Sequence, residues 1–282
     1  MIGSTIDSAK IVMPDEEFKL LSALINEFCG LYYDSSKKFL LESRLGARLK
    51  ALNLRTFKEY YYYLKYDLKK NAEFDVITDI LTTNETYFFR ETGQIKILID
   101  EIIPELIKKN KKTIRIWSSA SSSGEEAYTI AMEICEKNLD KQGVNFEIIG
   151  TDISLRVLEL AKDGVYSQFS FRSANQAYLN KYFIKEGLKY RINDSIKKMV
   201  KFERFNLLDN LGYNKYRNFD VIFCRNVLIY FEDPIKKKVV DNLNKCLNID
   251  GVLFLGHSES LFKFSVAFEL KQFKNGLGYI KK

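Results

Sequence analysis

Four polar segments of this chain hold side chains able to do chemistry. The first, residues 118–126, reads Ser-Ser-Ala-Ser-Ser-Ser-Gly-Glu-Glu after a short apolar run. Small side chains let the backbone approach a ligand closely, and a helix starting there would offer free N–H groups. The segment has neither the G-x-G-x-x-G of a dinucleotide loop nor the Gly-Lys-Ser/Thr of a phosphate loop. Acid at Glu125 and Glu126 favours an amine-bearing ligand over a pyrophosphate, unless both glutamates merely complement a helix dipole. The second is Asp152, 28 residues beyond Gly124 and at the end of the run FEIIG. A carboxylate so placed accepts bonds from both hydroxyls of a ribose; capping the next helix is its alternative use. The third, Cys224 to Tyr230, sets Arg225 and Asn226 at the end of an apolar run, then residues suited to pack on a flat ligand, then the Tyr230 hydroxyl. The fourth, Thr83 to Arg90, joins Asn84 and Thr86 to three aromatics and Arg90, whose guanidinium forks onto carboxylates.

Side chains of this kind need a rigid frame. Short apolar runs at 114–117, 146–150, 200–205, 219–224 and 252–255 alternate with helical stretches at 125–137 and 154–162, and Asp233-Pro234 suits a helix start. That alternation predicts a mostly parallel, doubly wound sheet, in which ligands bind beyond the carboxyl ends of the strands. All four segments then share one rim. They describe a pocket for a ribose, an amine and a carboxylate, which S-adenosylmethionine fits better than NAD or ATP. A helix near 94–109 should break or kink at Pro104. The first 83 residues read instead as four helices, near 15–30, 36–52, 56–64 and 71–82. On the second, Lys37, Arg44 and Arg48 lie within about 40° of one another and form a basic edge.

The 282 residues carry a net charge of +7, and 165–204 alone holds nine basic against three acidic side chains. This stretch interrupts the alternation and predicts a small inserted subdomain. A local excess of charge speaks to partners, nucleic acid or an acidic protein surface, or to a solvated face without one. No apolar run reaches about 18 residues, so nothing spans a bilayer, and the first residues lack the apolar block of a signal peptide. Four scattered cysteines fit buried, reduced thiols in a cytosolic protein, and a single histidine leaves little material for a metal site.

At these residues the chain resembles the CheR family of chemotaxis receptor methyltransferases. The carrying segments, in order, are TTNETYFFRE, IRIWSSASSSGEEAYTIAME, GTDIS, VKFERFNLLD, FDVIFCRNVLIYFEDP and GVLFLGHSES. The match covers roughly 80–280, with weaker similarity in the helical N-terminus. The resemblance implies an all-α N-terminal domain (1–83) and a Rossmann-like S-adenosylmethionine-dependent methyltransferase domain (84–282) with a small β-subdomain inserted at about 165–204. Asn84, Thr86 and Arg90 stand where the family contacts S-adenosylmethionine, Glu126 where it holds the methionine portion, and Asp152 where it holds the ribose. Asn206, Leu207, Arg225 and Asn226 stand at its adenine-side loops, and Arg90 and Tyr230 nearest the transferring methyl. His257 belongs to a family motif and receives no catalytic role; a packed or hydrogen-bonded ring is expected.

The implied activity is transfer of a methyl group to glutamate side chains of methyl-accepting receptors in the bacterial cytoplasm, leaving S-adenosylhomocysteine, without metal, nucleic acid or membrane insertion. A glutamate carboxylate, of reference pKa about 4.3, is already ionised at neutral pH and needs no general base. Members that grip a receptor's peptide tether use a longer, glycine-rich hairpin. Here IKEGLKYRINDSIKKM, residues 184–199, is short and has one glycine, which points to direct docking. The basic edge and the insert would steer to acid-rich helices. An RNA or DNA methyltransferase is the competing reading, although RNVLIY replaces the Asn-Pro-Pro-Tyr type of loop; a cofactor-binding regulator without catalysis is another.

Overall fold

The computed structural model describes residues 11–262 and 264–282. The first ten residues of the expected helical domain lie outside them. The chain forms two compact units, divided in the sequence between Thr82 and Thr83.

The first unit is four helices: α1 (Asp15–Cys29), α2 (Lys38–Ala51, after a 3-10 turn), α3 (Phe57–Tyr66) and α4 (Lys70–Leu81). Gly30 ends α1 in the left-handed conformation (φ 78°), and Thr56 caps α3 through its hydroxyl. Leu41, Leu45 and Leu49, at helical spacing on α2, are buried with Leu21, Ile25, Phe57 and Tyr60. The basic edge of α2 is largely spent inside this unit. Arg48 forks onto the buried Glu73 at 2.9 and 2.8 Å, the Tyr60 hydroxyl donates to the same carboxylate at 2.6 Å, and Arg44 Nη1 donates to the Leu81 carbonyl at 2.8 Å. Burial of Glu73 demands a partner cation, and Arg48 is in reach. Arg48 is therefore no free surface charge.

The second unit opens with α5 (Gly93–Ile97), a π turn (Leu98–Ile102) and α6 (Ile103–Lys108). The chain stays helical through Pro104, where a break or kink was expected, but its α-helical ladder is interrupted just before the proline. The π turn widens the hydrogen-bond ladder just ahead of the proline, and Pro104 enters at the first turn of α6, where its missing N–H removes little. Then follow β1 (Thr113–Ser118), α7 (Glu125–Glu136), β2 (Asn145–Asp152), α8 (Leu155–Asp163), β3 (Val165–Ser167), α9 (Gln176–Tyr182), β4 (Phe183–Glu186), β5 (Lys189–Ile192), α10 (Asp194–Lys197), β6 (Val200–Arg204), β7 (Phe219–Cys224), α11 (Asp233–Cys246), β8 (Leu247–Leu255), β9 (Phe268–Phe273) and β10 (Gly276–Lys281). At α11 the cap position is Glu232, one residue before the expected Asp233, and no side chain caps it.

Seven strands form one sheet in the order β6-β2-β1-β7-β8-β10-β9, parallel from β6 to β8. The hairpin β9–β10 is antiparallel and was not legible in the alternation. The three strands β3, β5 and β4 make a separate small sheet, and β6 belongs to the large one, so the insert closes before Val200. Strand alternation sorts the core onto two faces. Ile114, Ile116, Val221, Phe223, Val252 and Phe254 pack in one cluster, and Trp117, Phe219, Ile222, Leu253 and Leu255 in the other. Strand order reverses at β1, between β2 and β7. That switch point opens a crevice at the carboxyl edge.

Cysteines 29, 224 and 246 are buried and free, whereas Cys135 is only half-buried. No helix among the described residues is long and apolar enough to cross a membrane.

Candidate active site

The four polar segments converge on that carboxyl edge, and hydrogen bonds among them define the site. The loop after β1 turns tightly through Ser122 (φ 49°) and Gly124 (φ 91°). Its Ser122 N–H donates to Asp152 Oδ2 at 2.9 Å, and the Ser122 hydroxyl donates to the Asn84 carbonyl at 3.0 Å. Asp152 Oδ1 also accepts the Ser154 N–H at 3.0 Å. The cap on α8 is Ser154 itself, so Asp152 is spared that task. A carboxylate offers about four lone-pair sites, and two of those on Asp152 take these backbone N–H groups.

The two glutamates at the start of α7 diverge. Glu125 is buried, with its carboxylate on the hydroxyls of Ser123 (2.7 Å) and Ser170 (3.2 Å), and burial pushes its carboxyl above the ordinary value. Glu126 turns the other way, accepting from the Ser118 hydroxyl at 2.7 Å and from Arg225 Nη1 at 3.0 Å. Neither is a mere dipole complement.

Arg225 and Asn226, expected together at an adenine-side loop, have different partners. The Arg225 side chain is 3% exposed and divides itself between two carboxylates, Glu126 and Glu91, the latter at 2.8 Å. Nη2 also donates to the Arg90 carbonyl at 3.1 Å, and Nε is buried without a partner. A buried guanidinium needs such carboxylates to offset lost hydration. Asn226 takes the left-handed conformation (φ 56°), and its N–H donates to Glu259 at 2.8 Å. The same carboxylate accepts the N–H groups of Val227 (3.0 Å), Ile229 (3.3 Å) and Gly256 (2.7 Å). Glu259 thereby fixes the turn that carries the half-buried Tyr230.

Arg90 donates from Nη1 to the Glu85 carbonyl at 2.9 Å. The insert holds this segment from behind. Phe88 stacks on Phe171 with centroids 5.0 Å apart, Arg172 lies 3.6 Å from the centroid of the Tyr87 ring, and Arg172 Nη2 pairs with Glu85 at 2.8 Å. Thr86 is half-buried in the same stretch. Asn206 Oδ1 accepts the Leu208 N–H at 3.0 Å, and the carbonyl of the buried Leu207 accepts the Tyr213 hydroxyl at 3.0 Å. This turn joins the rim through Phe205 N–H on the Asp152 carbonyl, 2.9 Å.

Contact thus ties Arg90, Glu126 and Arg225 together, and Asn84 to Asp152 through Ser122. Reading the residues alone missed Glu91, Ser122 and Glu259. Glu91 and Glu259 lie inside the family motifs; Glu259 carried a signal, a lone acid just beyond a strand end, and Glu91 carried none in its local sequence. His257 is not packed as expected; its side chain is 69% exposed, with Nε2 3.8 Å from Glu91.

Strain marks the same place. Nine described residues other than glycine have positive φ, and six are Asn or Asp, which tolerate it. The other three are Phe89, Glu91 and Ser122. Each such residue stores about 1–3 kcal/mol and persists only where its surroundings over-determine it.

Comparison with known proteins agrees with this geometry. A family model described as "CheR methyltransferase, SAM binding domain" matches residues 84–277, and "CheR methyltransferase, all-alpha domain" matches residues 16–82. "Chemotaxis protein methyltransferase 2" of Vibrio cholerae serotype O1 is 35% identical over 274 residues, which cover 96% of this chain and 95% of that protein. The "Chemotaxis protein methyltransferase" of Borreliella burgdorferi is 36% identical over 257 residues, 89% of each. The fold and the matched domain define an S-adenosylmethionine-dependent methyltransferase. The chain belongs to the CheR methyltransferase family.

Proposed function

We propose that the protein transfers the methyl group of S-adenosylmethionine to glutamate side chains of bacterial chemoreceptors, in the cytoplasm, with Arg90 and Tyr230 lining the path of transfer. The observation that carries this reading is the convergence of Asn84, Arg90, Glu126, Asp152 and Arg225 on one rim of the sheet. The donor set also fits the group on its own chemistry: the carboxylates of Glu126 and Asp152 suit an amine and a pair of hydroxyls. In this reading Asp152 holds the ribose and Glu126 the amine. Asn84 and Thr86 add hydrogen bonds, and the turns at Asn206-Leu207 and Asn226 flank the adenine. When bound, the sulfonium supplies an electrophilic methyl.

The protein's own residues then align and exclude. The acceptor carboxylate is already charged, so no residue has to remove a proton. Arg90, a fixed cation, orients that carboxylate, and the Tyr230 turn is held rigid by Glu259. Alignment of this kind is worth about 7–11 kcal/mol when reacting atoms meet at near-attack distance. Removing the charge of Arg90 is expected to lower the rate by roughly 100-fold, the scale of losing one positioned electrostatic partner, while removing His257 changes it little. Equal small losses for both would refute the assignment.

Direct docking is proposed on the brevity of the β4–β5 hairpin, whose turn holds the single Gly187. Lys185, Lys189 and Lys198 of the insert are exposed and suit an acid-rich partner helix; association should then weaken with salt. The protein is incubated with methyl-labelled S-adenosylmethionine and either a receptor cytoplasmic fragment or RNA. Base-labile label on the receptor fragment is the expected result. Label on RNA, or on neither, would overturn the proposal.

A further inference from the structure

We infer that Glu91 is a positioning residue for methyl transfer, the second carboxylate of a buried clamp on Arg225 that presents Glu126 and the Arg90 backbone to the cleft; this rests on that cleft being the S-adenosylmethionine site. Arg225 is enclosed and donates to the Glu91 carboxylate at 2.8 Å, to Glu126 at 3.0 Å, and to the Arg90 and Glu91 carbonyls at 3.1 and 3.4 Å. One guanidinium cannot neutralise two carboxylates, so Arg225, Glu91 and Glu126 by themselves carry one net negative charge, beside the place proposed for an amine and a sulfonium. Arg90 Nε and His257 Nε2 stand 3.9 and 3.8 Å from the Glu91 oxygens, close enough to feel its charge without consuming it as a hydrogen-bonded pair. Burial alone would push the Glu91 carboxyl up, but the hydrogen bond and charge of Arg225, aided by His257 and Arg90, outweigh burial and hold it below its ordinary value.

The backbone agrees. Glu91 sits at φ 48°, beside Phe89 at φ 62°, a conformation that side chains of this size rarely adopt. The strain would relax if the carboxylate did not need to reach Arg225. With Glu91 neutral, Arg225 would pair with Glu126 undivided, and Glu126 would be withdrawn from a ligand amine. Glu91 thus tunes how much of Glu126 remains for the ligand.

The test is calorimetric titration of the full chain with S-adenosylhomocysteine, alongside thermal unfolding and steady-state kinetics, for wild type, Glu91→Gln, Glu91→Asp and Glu126→Gln. Glu91→Gln should weaken binding about tenfold, the equivalent of one charge-assisted hydrogen bond, and raise KM more than it lowers kcat. Glu91→Asp should restore part of the affinity. The double variant Glu91→Gln/Glu126→Gln should bind about as weakly as Glu126→Gln alone, since both act through one contact. Wild-type affinity in Glu91→Gln overturns the inference, including where its melting temperature falls, because the role is then structural only. If Glu91→Gln does not fold, Glu91→Asp decides: intermediate affinity supports the clamp and unchanged affinity overturns it. Absence of binding in wild type would sink the reading of the cleft itself, and the clamp with it.

Discussion

Glu259 Oε2 accepts the backbone N–H of Asn226 at 2.8 Å, binding the segment after β8 to the turn after β7. Three more N–H groups share that carboxylate, so one side chain fixes the turn leading to Tyr230. Glu259→Gln replaces one acceptor oxygen by an amide NH2 group, a donor that faces N–H donors. Hydrogen bonds to a charged group are worth about 1.5–3 kcal/mol each, and some will rebuild to water. We expect a loss of about 2–3 kcal/mol in denaturant unfolding and at least a roughly tenfold fall in methyl transfer. Full activity in a destabilised variant would show that the turn need not be rigid.

In the helical unit, Arg48 and Glu73 form a fork whose carboxylate end is 4% exposed. Arg48→Ala leaves that carboxylate with Tyr60 alone among these partners. Breaking a buried pair on one side typically destabilises by about 3–5 kcal/mol, and this is the expected loss. The double variant Arg48→Leu/Glu73→Leu should recover most of it. A loss under about 1 kcal/mol would mean that the pair behaves as an exposed one.

Gly150, on β2, has no room for a side chain. An added Cβ would lie 2.5 Å from the Phe202 ring and 2.9 Å from Ser121 Oγ. Gly150→Ala should therefore destabilise by about 1–3 kcal/mol, the usual range for overpacking. Phe202→Leu in the same chain should relieve part of that loss. Unfolding of the single and double variants measures the coupling, and strict additivity would exclude the clash as its cause.

Burial raises the Glu125 carboxyl, against the hydroxyls of Ser123 and Ser170 that favour its charged form. The sign of the pH effect follows. A group raised in the folded state contributes stability that is complete below its unfolded value, about 4.3, and lost as pH rises through the folded value. At neutral pH the buried charge is thus a burden. Glu125→Gln keeps the shape and an acceptor oxygen, so its melting temperature should exceed that of wild type near pH 8, with the difference shrinking toward pH 4, both taken as approximate end points of the titration. A constant difference across that range would contradict the shift.

Local chemistry makes much of this legible in the sequence by itself. Gly30 and Thr56 marked helix ends because their backbone and hydroxyl chemistry act within a few residues. The runs at 114–117 and 219–224 announced buried parallel strands because both faces of such strands are covered, and strand ends then located the rim where Asp152 and Arg225 stand. Pairing across the chain was beyond that reach. Arg225 meets Glu91 across 134 residues and Glu126 across 99, and Arg48 meets Glu73 across 25. Which carboxylate neutralises a buried cation depends on where the folded backbone delivers each side chain. The same holds for His257, whose exposed ring faces Glu91 from far along the chain: only the assembled sheet decides which groups meet.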